Sequence, residues 1–82
     1  MRTLQELKVG ERAQVVSVEG VDDISMRLME MGLTPGVPLT LLGAAPLGDP
    51  IELELRGYRL SVRRSEAARV EVEVERRMKE EG

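Results

Sequence analysis

The chain contains no cysteine, histidine, tryptophan or phenylalanine, and Tyr58 is its single aromatic residue. Without cysteine there is neither a disulfide framework nor a thiolate metal site. Without histidine, the commonest transition-metal ligand and the commonest general base are both missing. One tyrosine cannot line the aromatic groove that takes proline-rich peptides, nor provide a platform for stacking bases. A glycine-rich phosphate loop is absent too, and the few hydroxyl residues have no obvious base partner, which sets enzymatic catalysis aside. No apolar run approaches the roughly 20 residues needed to cross a bilayer. Met1–Gly10 lacks the continuous apolar stretch of a signal peptide, so a cytosolic chain is expected.

What remains is a small aliphatic domain. Of the 82 residues, 41% are hydrophobic and 33% charged, ordinary proportions for a folded domain. The core must come from Val, Leu, Ile, Ala and Met. Residues 1–75 are expected to form one domain. Arg76–Gly82 (RRMKEEG) carries no apolar period and is expected to fray. A net charge of −3 argues against a general nucleic-acid binder, whose affinity comes from neutralising phosphates. Ten of the twelve basic residues are Arg, a bias that suits a heat-adapted protein.

Period-two alternation marks the strands. Ala13–Val18 follows a Gly10-Glu11 turn, and Val37–Leu42 is a second strand in which Pro38, lacking an N–H, predicts an edge or a bulge. Ile51–Arg56 and Arg59–Arg63 alternate around Gly57-Tyr58, read as a type II′ hairpin turn with glycine first. Ser65–Ala67 reads as one helical turn capped by Ser65. Arg69–Glu75 alternates most cleanly, with Val70, Val72 and Val74 on one face. Five short strands, each with one apolar face, are expected to close into a small barrel with a helix plugging one end.

That helix is expected over about residues 23–31, capped by Asp22 or Asp23. Ile24, Leu28 and Met31 recur at the spacing that builds one apolar stripe. Gly32 stands where a chain leaving a helix needs positive φ, and Leu33 is placed to fold back onto Leu28. Thr34-Pro35-Gly36-Val37 has proline and glycine at the two central positions of a type II turn. Helix, stop and turn thus lead straight into the next strand.

Four marks in order, Leu7–Gly10, Arg27–Gly36, Ala45–Pro50 and Leu60–Ala67, resemble the FeoA family of small bacterial ferrous iron transport proteins, over roughly residues 3–75. The resemblance implies an SH3-like barrel, a module also found as the C-terminal domain of metal-dependent repressors. It further implies a cytosolic accessory role in ferrous iron uptake. The implied partner is FeoB, a membrane transporter with a cytosolic GTP-binding domain. No cofactor is implied by the residues themselves.

Two surfaces are candidates for partner binding. Met26 and Met29 lie about 60° apart on the helix side opposite the apolar seam, and so face either water or a partner. Pro46, Leu47 and Pro50 in the Gly43–Pro50 loop form the stiff rim of a cleft with them, or else the loop folds over both methionines into a satellite core. A second candidate is the basic face of Arg56, Arg59, Arg63 and Arg64, which recognises an acidic or phosphate surface unless Glu52, Glu54, Glu66 and Glu71 pair with it. Glu71, Glu73 and Glu75 share one strand face about 6–7 Å apart, which reads as a solvated edge strand before it reads as a metal site.

The leading reading is therefore a protein-binding accessory of ferrous iron transport. A free-standing regulatory module like the repressor domain is the first alternative, disfavoured because Met1 leads directly into the barrel without a DNA-reading helix. A small RNA-binding barrel is the second, disfavoured by charge and missing aromatics. With no imidazole or thiolate available, anaerobic Fe(II) titration is predicted to show no site tighter than about millimolar. A stoichiometric micromolar isotherm would contradict this.

Overall fold

The computed structural model describes residues 2–75, and the expected frayed segment 76–82 lies outside them. Six strands form one antiparallel sheet: β1 (Arg2–Thr3), β2 (Arg12–Val18), β3 (Pro38–Ala44), β4 (Ile51–Leu55), β5 (Tyr58–Val62) and β6 (Val70–Val74). Their order across the sheet is β1-β6-β2-β3-β4-β5. Helix α1 (Asp23–Glu30) joins β2 to β3, and α2 (Arg64–Ala67) joins β5 to β6. A 3-10 turn, Leu4–Glu6, packs against both α2 and β6.

Two β-bulges coil this sheet around its core. On β2, Val15 faces Val72 and Ser17 faces Glu71, so Val16 is the extra residue. On β3, Leu41 faces Leu53 and Gly43 faces Glu52, so Leu42 is extra. Each bulge falls on a doubled apolar residue, Val15-Val16 or Leu41-Leu42, where strict alternation cannot continue. The extra residue bends its strand and increases the twist. The inward faces then meet: Leu4, Leu28, Leu33, Leu53, Val70 and Val72 are completely buried in one cluster.

Several local expectations are corrected. The expected small barrel forms by coiling of this one sheet, and the short β1 adds a sixth strand to the five expected. Glu71, Glu73 and Glu75 do not mark an edge, because β6 lies between β1 and β2. Pro38 stands at the first position of β3, an interior strand, where the missing donor is tolerated; the β3 bulge lies further on. Strand β3 also runs to Ala44, which shortens the following loop to 45–50. The β4–β5 hairpin turns at Arg56-Gly57 rather than Gly57-Tyr58, with Leu55 opposite Tyr58. Positive φ at both central residues, 51° and 84°, is the mark of a type I′ turn.

The helix exit matches its expectation in detail. The Gly32 N–H donates to Met29 C=O (3.0 Å) and the Leu33 N–H to Leu28 C=O (3.1 Å), the paired bonds of a Schellman stop. Gly32 has φ of 115°, and Leu33 lies buried with Leu28. A type II turn follows, with Val37 N–H donating to Thr34 C=O (3.1 Å) and Gly36 at φ of 90°. Tyr58 covers the exit: its hydroxyl donates to Met31 C=O. A Cβ on Gly32 would fall on that hydroxyl and approach Leu55 Cδ1 to 3.3 Å.

Gly32→Val is therefore predicted to destabilise the fold by about 1–2 kcal/mol or more, since backbone conformation and space both oppose it. Leu28→Ala should cost about 2–5 kcal/mol by leaving a cavity in the core. Equilibrium denaturation of both variants checks this, and an unchanged midpoint for Gly32→Val would mean that the stop tolerates a side chain.

Candidate functional site

Helix α1 is short because both of its ends are specified. At the start, Asp22 accepts from the Ser25 N–H (3.1 Å), while Ser25 Oγ donates back to the Asp22 carbonyl (2.9 Å). This settles the cap on Asp22 rather than Asp23. Arg69 Nη1 also donates to Asp22 Oδ1 at 2.6 Å, fastening the cap to the segment before β6. The Arg69 guanidinium, with the Ser25 amide, holds the Asp22 carboxyl well below the usual carboxylate range, and Asp22 in turn raises Arg69. Arg27 ties the middle of α1 to α2 by pairing with Glu66.

These ties fix which side of α1 faces out. Leu28 and Ser25 are buried, and Ile24 and Met31 are half-buried against the core. Met26 and Met29 are 57% and 41% exposed. Such exposure on two flexible thioether side chains, three residues apart, offers an adaptable apolar contact.

The 45–50 loop does not join them. The Ala45 N–H donates to Pro50 C=O (2.9 Å) and Gly48 N–H to Ala45 C=O (2.7 Å), so the loop is a compact turn of its own. Arg64 then grips it: Nε donates to Gly48 C=O at 2.8 Å, and the Arg64 backbone N–H to Asp49 Oδ1 at 2.9 Å. Arg64 Nη1 reaches the Gln5 carbonyl at 3.4 Å. The loop is thus drawn toward α2 and the 3-10 turn, and among the described residues no satellite core covers Met26 and Met29. Leu47 is 95% exposed at its tip, with Pro46 and Pro50 also exposed. Pro50 borders a shallow groove of about 320 Å³ with Arg27, Met31, Ser61, Arg63 and Glu66, which neither Met26 nor Met29 lines.

The basic face also divides. Arg64 is half-buried and braces the loop, leaving Arg56, Arg59 and Arg63 exposed around the β4–β5 hairpin. Glu54 stands opposite Arg59 in register. The four ion pairs of the described residues are Arg2–Glu11, Arg12–Glu75, Arg27–Glu66 and Arg69–Asp22, and none uses the hairpin arginines. Glu66 is engaged by Arg27, and Glu71 accepts from Ser17 Oγ (3.2 Å), so the expected pairing with the basic face does not form there. The capping of α2 by Ser65 is likewise replaced, since Arg63 is its N-cap residue and the Asp49 carboxylate receives the Arg64 amide. Among the described residues, no three or more acidic side chains gather where they could hold a metal ion.

Sequence reasoning missed three of these roles. Arg64 and Arg69 were indistinguishable from surface arginines, because their partners lie 16 and 47 positions away. Tyr58 carried a signal in being the single aromatic residue, placed where its ring and hydroxyl reach the helix exit.

The FeoA domain family model matches residues 2–74. The chain is 41% identical over 71 residues to the Fe(2+) transport protein A/Fe(2+) transporter FeoB fusion protein of Porphyromonas gingivalis, a match covering 87% of this chain and 8% of that protein. Among solved structures it resembles FeoA from Chlorobium tepidum, with 46% identity and a TM-score of 0.80 over 88% of this chain and 69% of that one. The zinc complex of Stenotrophomonas maltophilia FeoA, described as a procaryotic SH3 domain protein, gives 34% identity and a TM-score of 0.79 over 93% and 98%. A manganese-dependent transcriptional repressor shares the fold alone, at 16% identity and a TM-score of 0.81 over 89% of this chain and 36% of that one.

The Asp22 contacts generate a pH prediction. Its folded-state pKa lies below the unfolded value of about 3.9, so its contribution is fully present above that value and is lost as pH falls through the folded one. Carboxyl-detected NMR titration should give Asp22 a midpoint below that of an ordinary aspartate, and Arg69→Gln should move it upward. An unmoved midpoint would show that Arg69 does not hold the carboxylate.

Proposed function

The chain belongs to the FeoA family, an accessory family of ferrous iron transport, and on that premise we propose that it acts by binding a FeoB-type transporter through the outer face of α1. The observation that carries the partner is the fusion protein of Porphyromonas gingivalis, whose name joins transport protein A and transporter FeoB in one polypeptide. Two functions joined in one chain work at high effective concentration, and separate chains serving the same pair need an interface instead.

Met26 and Met29 are the residues we assign to the centre of that interface. They are apolar, exposed and placed on a helix held at both ends and in its middle. Support of that kind lets an apolar contact form without first ordering the helix, which lowers the entropic cost of association. Leu47, on the turn braced by Arg64, is a separate projecting contact flanked by Pro46 and Pro50. The exposed arginines of the β4–β5 hairpin form the secondary surface.

Replacing Met26 and Met29 together with Gln is predicted to leave the melting temperature nearly unchanged, because surface substitutions usually alter stability by no more than about 0.5 kcal/mol. The same variant should bind the cognate transporter in detergent at least about ten-fold more weakly, since an interface centre does not accept an unpaired amide. Normal binding by this variant would place the contact elsewhere, on the hairpin arginines or on Leu47.

A further inference from the structure

The outer face of α1 is apolar at its centre and acidic at its border. At 100° per residue, Asp23 and Glu30 stand within about 60° and 40° of Met26 around the helix, on the same side. Both are exposed. The arginines nearest this face do not neutralise it, because Arg27 is matched by Glu66 and Arg69 by Asp22. The four ion pairs of the described residues leave Asp23 and Glu30 out. Arg56 and Arg59, also outside those pairs, sit on the β4–β5 hairpin, while Arg63 borders the groove with Arg27, Met31 and Glu66, which neither Met26 nor Met29 lines.

The geometry points to one docking chemistry: the outer face of α1 seats in a short apolar groove of the transporter whose rim carries Lys or Arg. This inference rests on the transporter-binding reading above and adds the chemistry of the partner's surface. An eight-residue helix is about 12 Å long, so Met26 and Met29 are its two apolar anchors and the groove needs to accept little more than two turns. Closing a neutral or acidic rim over Asp23 and Glu30 would strip water from two carboxylates without replacing it. A basic rim supplies that replacement, steers the encounter and excludes apolar surfaces of the wrong charge.

The test measures association and dissociation rates with the cognate transporter in nanodiscs, at about 0.05 M and about 0.5 M salt, where screening differs several-fold in range. Four forms are compared: the unchanged protein, Asp23→Lys/Glu30→Lys, Met26→Gln/Met29→Gln and Arg56→Glu/Arg59→Glu, with melting temperatures as a folding control. The acidic-rim variant should associate at least about ten-fold more slowly at low salt and approach the unchanged protein at high salt. The methionine variant should instead dissociate faster at both salt concentrations. A low-salt association rate that is unchanged or raised in the acidic-rim variant would overturn the basic-rim inference while leaving transporter binding standing. A drop confined to the hairpin variant would overturn it by assigning the charged contact to the other face. Self-association that the acidic-rim variant abolishes, read by sedimentation in the same buffers, would assign the rim to a second copy of the chain. No binding by the unchanged protein at either salt concentration would end the transporter reading itself.

Discussion

The Schellman stop at Gly32 is the constraint on which the rest of the molecule depends. Its positive φ turns the chain back on itself within one residue and drops Leu33 into the core beside Leu28. The type II turn that follows at once delivers Val37 to the core edge of β2, where Val15 N–H donates to Val37 C=O at 3.0 Å. Lengthening α1 by a turn would carry it about 5.4 Å further and break that delivery. Tyr58 closes the arrangement from the far end of the sheet by bonding the Met31 carbonyl, so the end strand β5 and the helix exit hold each other.

A fixed helix end also fixes what the helix shows to solvent. Leu28 is committed to the core by the stop, and the 3.6-residue period then places Met26 and Met29 outside. The ion pairs Arg27–Glu66 and Asp22–Arg69 join α1 to α2 and to the segment just after it. As surface pairs they contribute little to stability individually. Their effect is geometric, since they orient the exposed face of α1 and engage the nearby cations. The same economy operates at the 45–50 turn, where one arginine binds both the turn and the N-terminal 3-10 turn and leaves Leu47 projecting.

The parts of this fold legible in the sequence were those with a short period or an obligatory residue. Strands β4 and β6 alternate without interruption, and the stop at Gly32 and the turn at Gly36 each need glycine for a stated backbone reason. The parts that were not legible depend on registers and distant partners. Two-residue β1 has no period to detect, and the bulges at Val16 and Leu42 hide in doubled apolar residues that read equally as strand continuation. The hairpin turn was misplaced by one residue because Arg56 adopts a positive φ that L side chains rarely take. At the candidate site, the side of the helix on which the methionines lie followed from helical period alone. The position of the 45–50 loop did not, because it is set by Arg64, a residue that looks like any surface cation until its contacts are known.

The central claim is that the outer face of α1 meets the transporter, and hydrogen exchange of the backbone amides with and without the cognate transporter tests it most directly. Exchange reports local opening residue by residue and requires no substitution. The account predicts added protection concentrated in residues 22–31, with the β4–β5 hairpin unchanged. Protection confined to residues 56–63, with α1 exchanging as in the free protein, would contradict it.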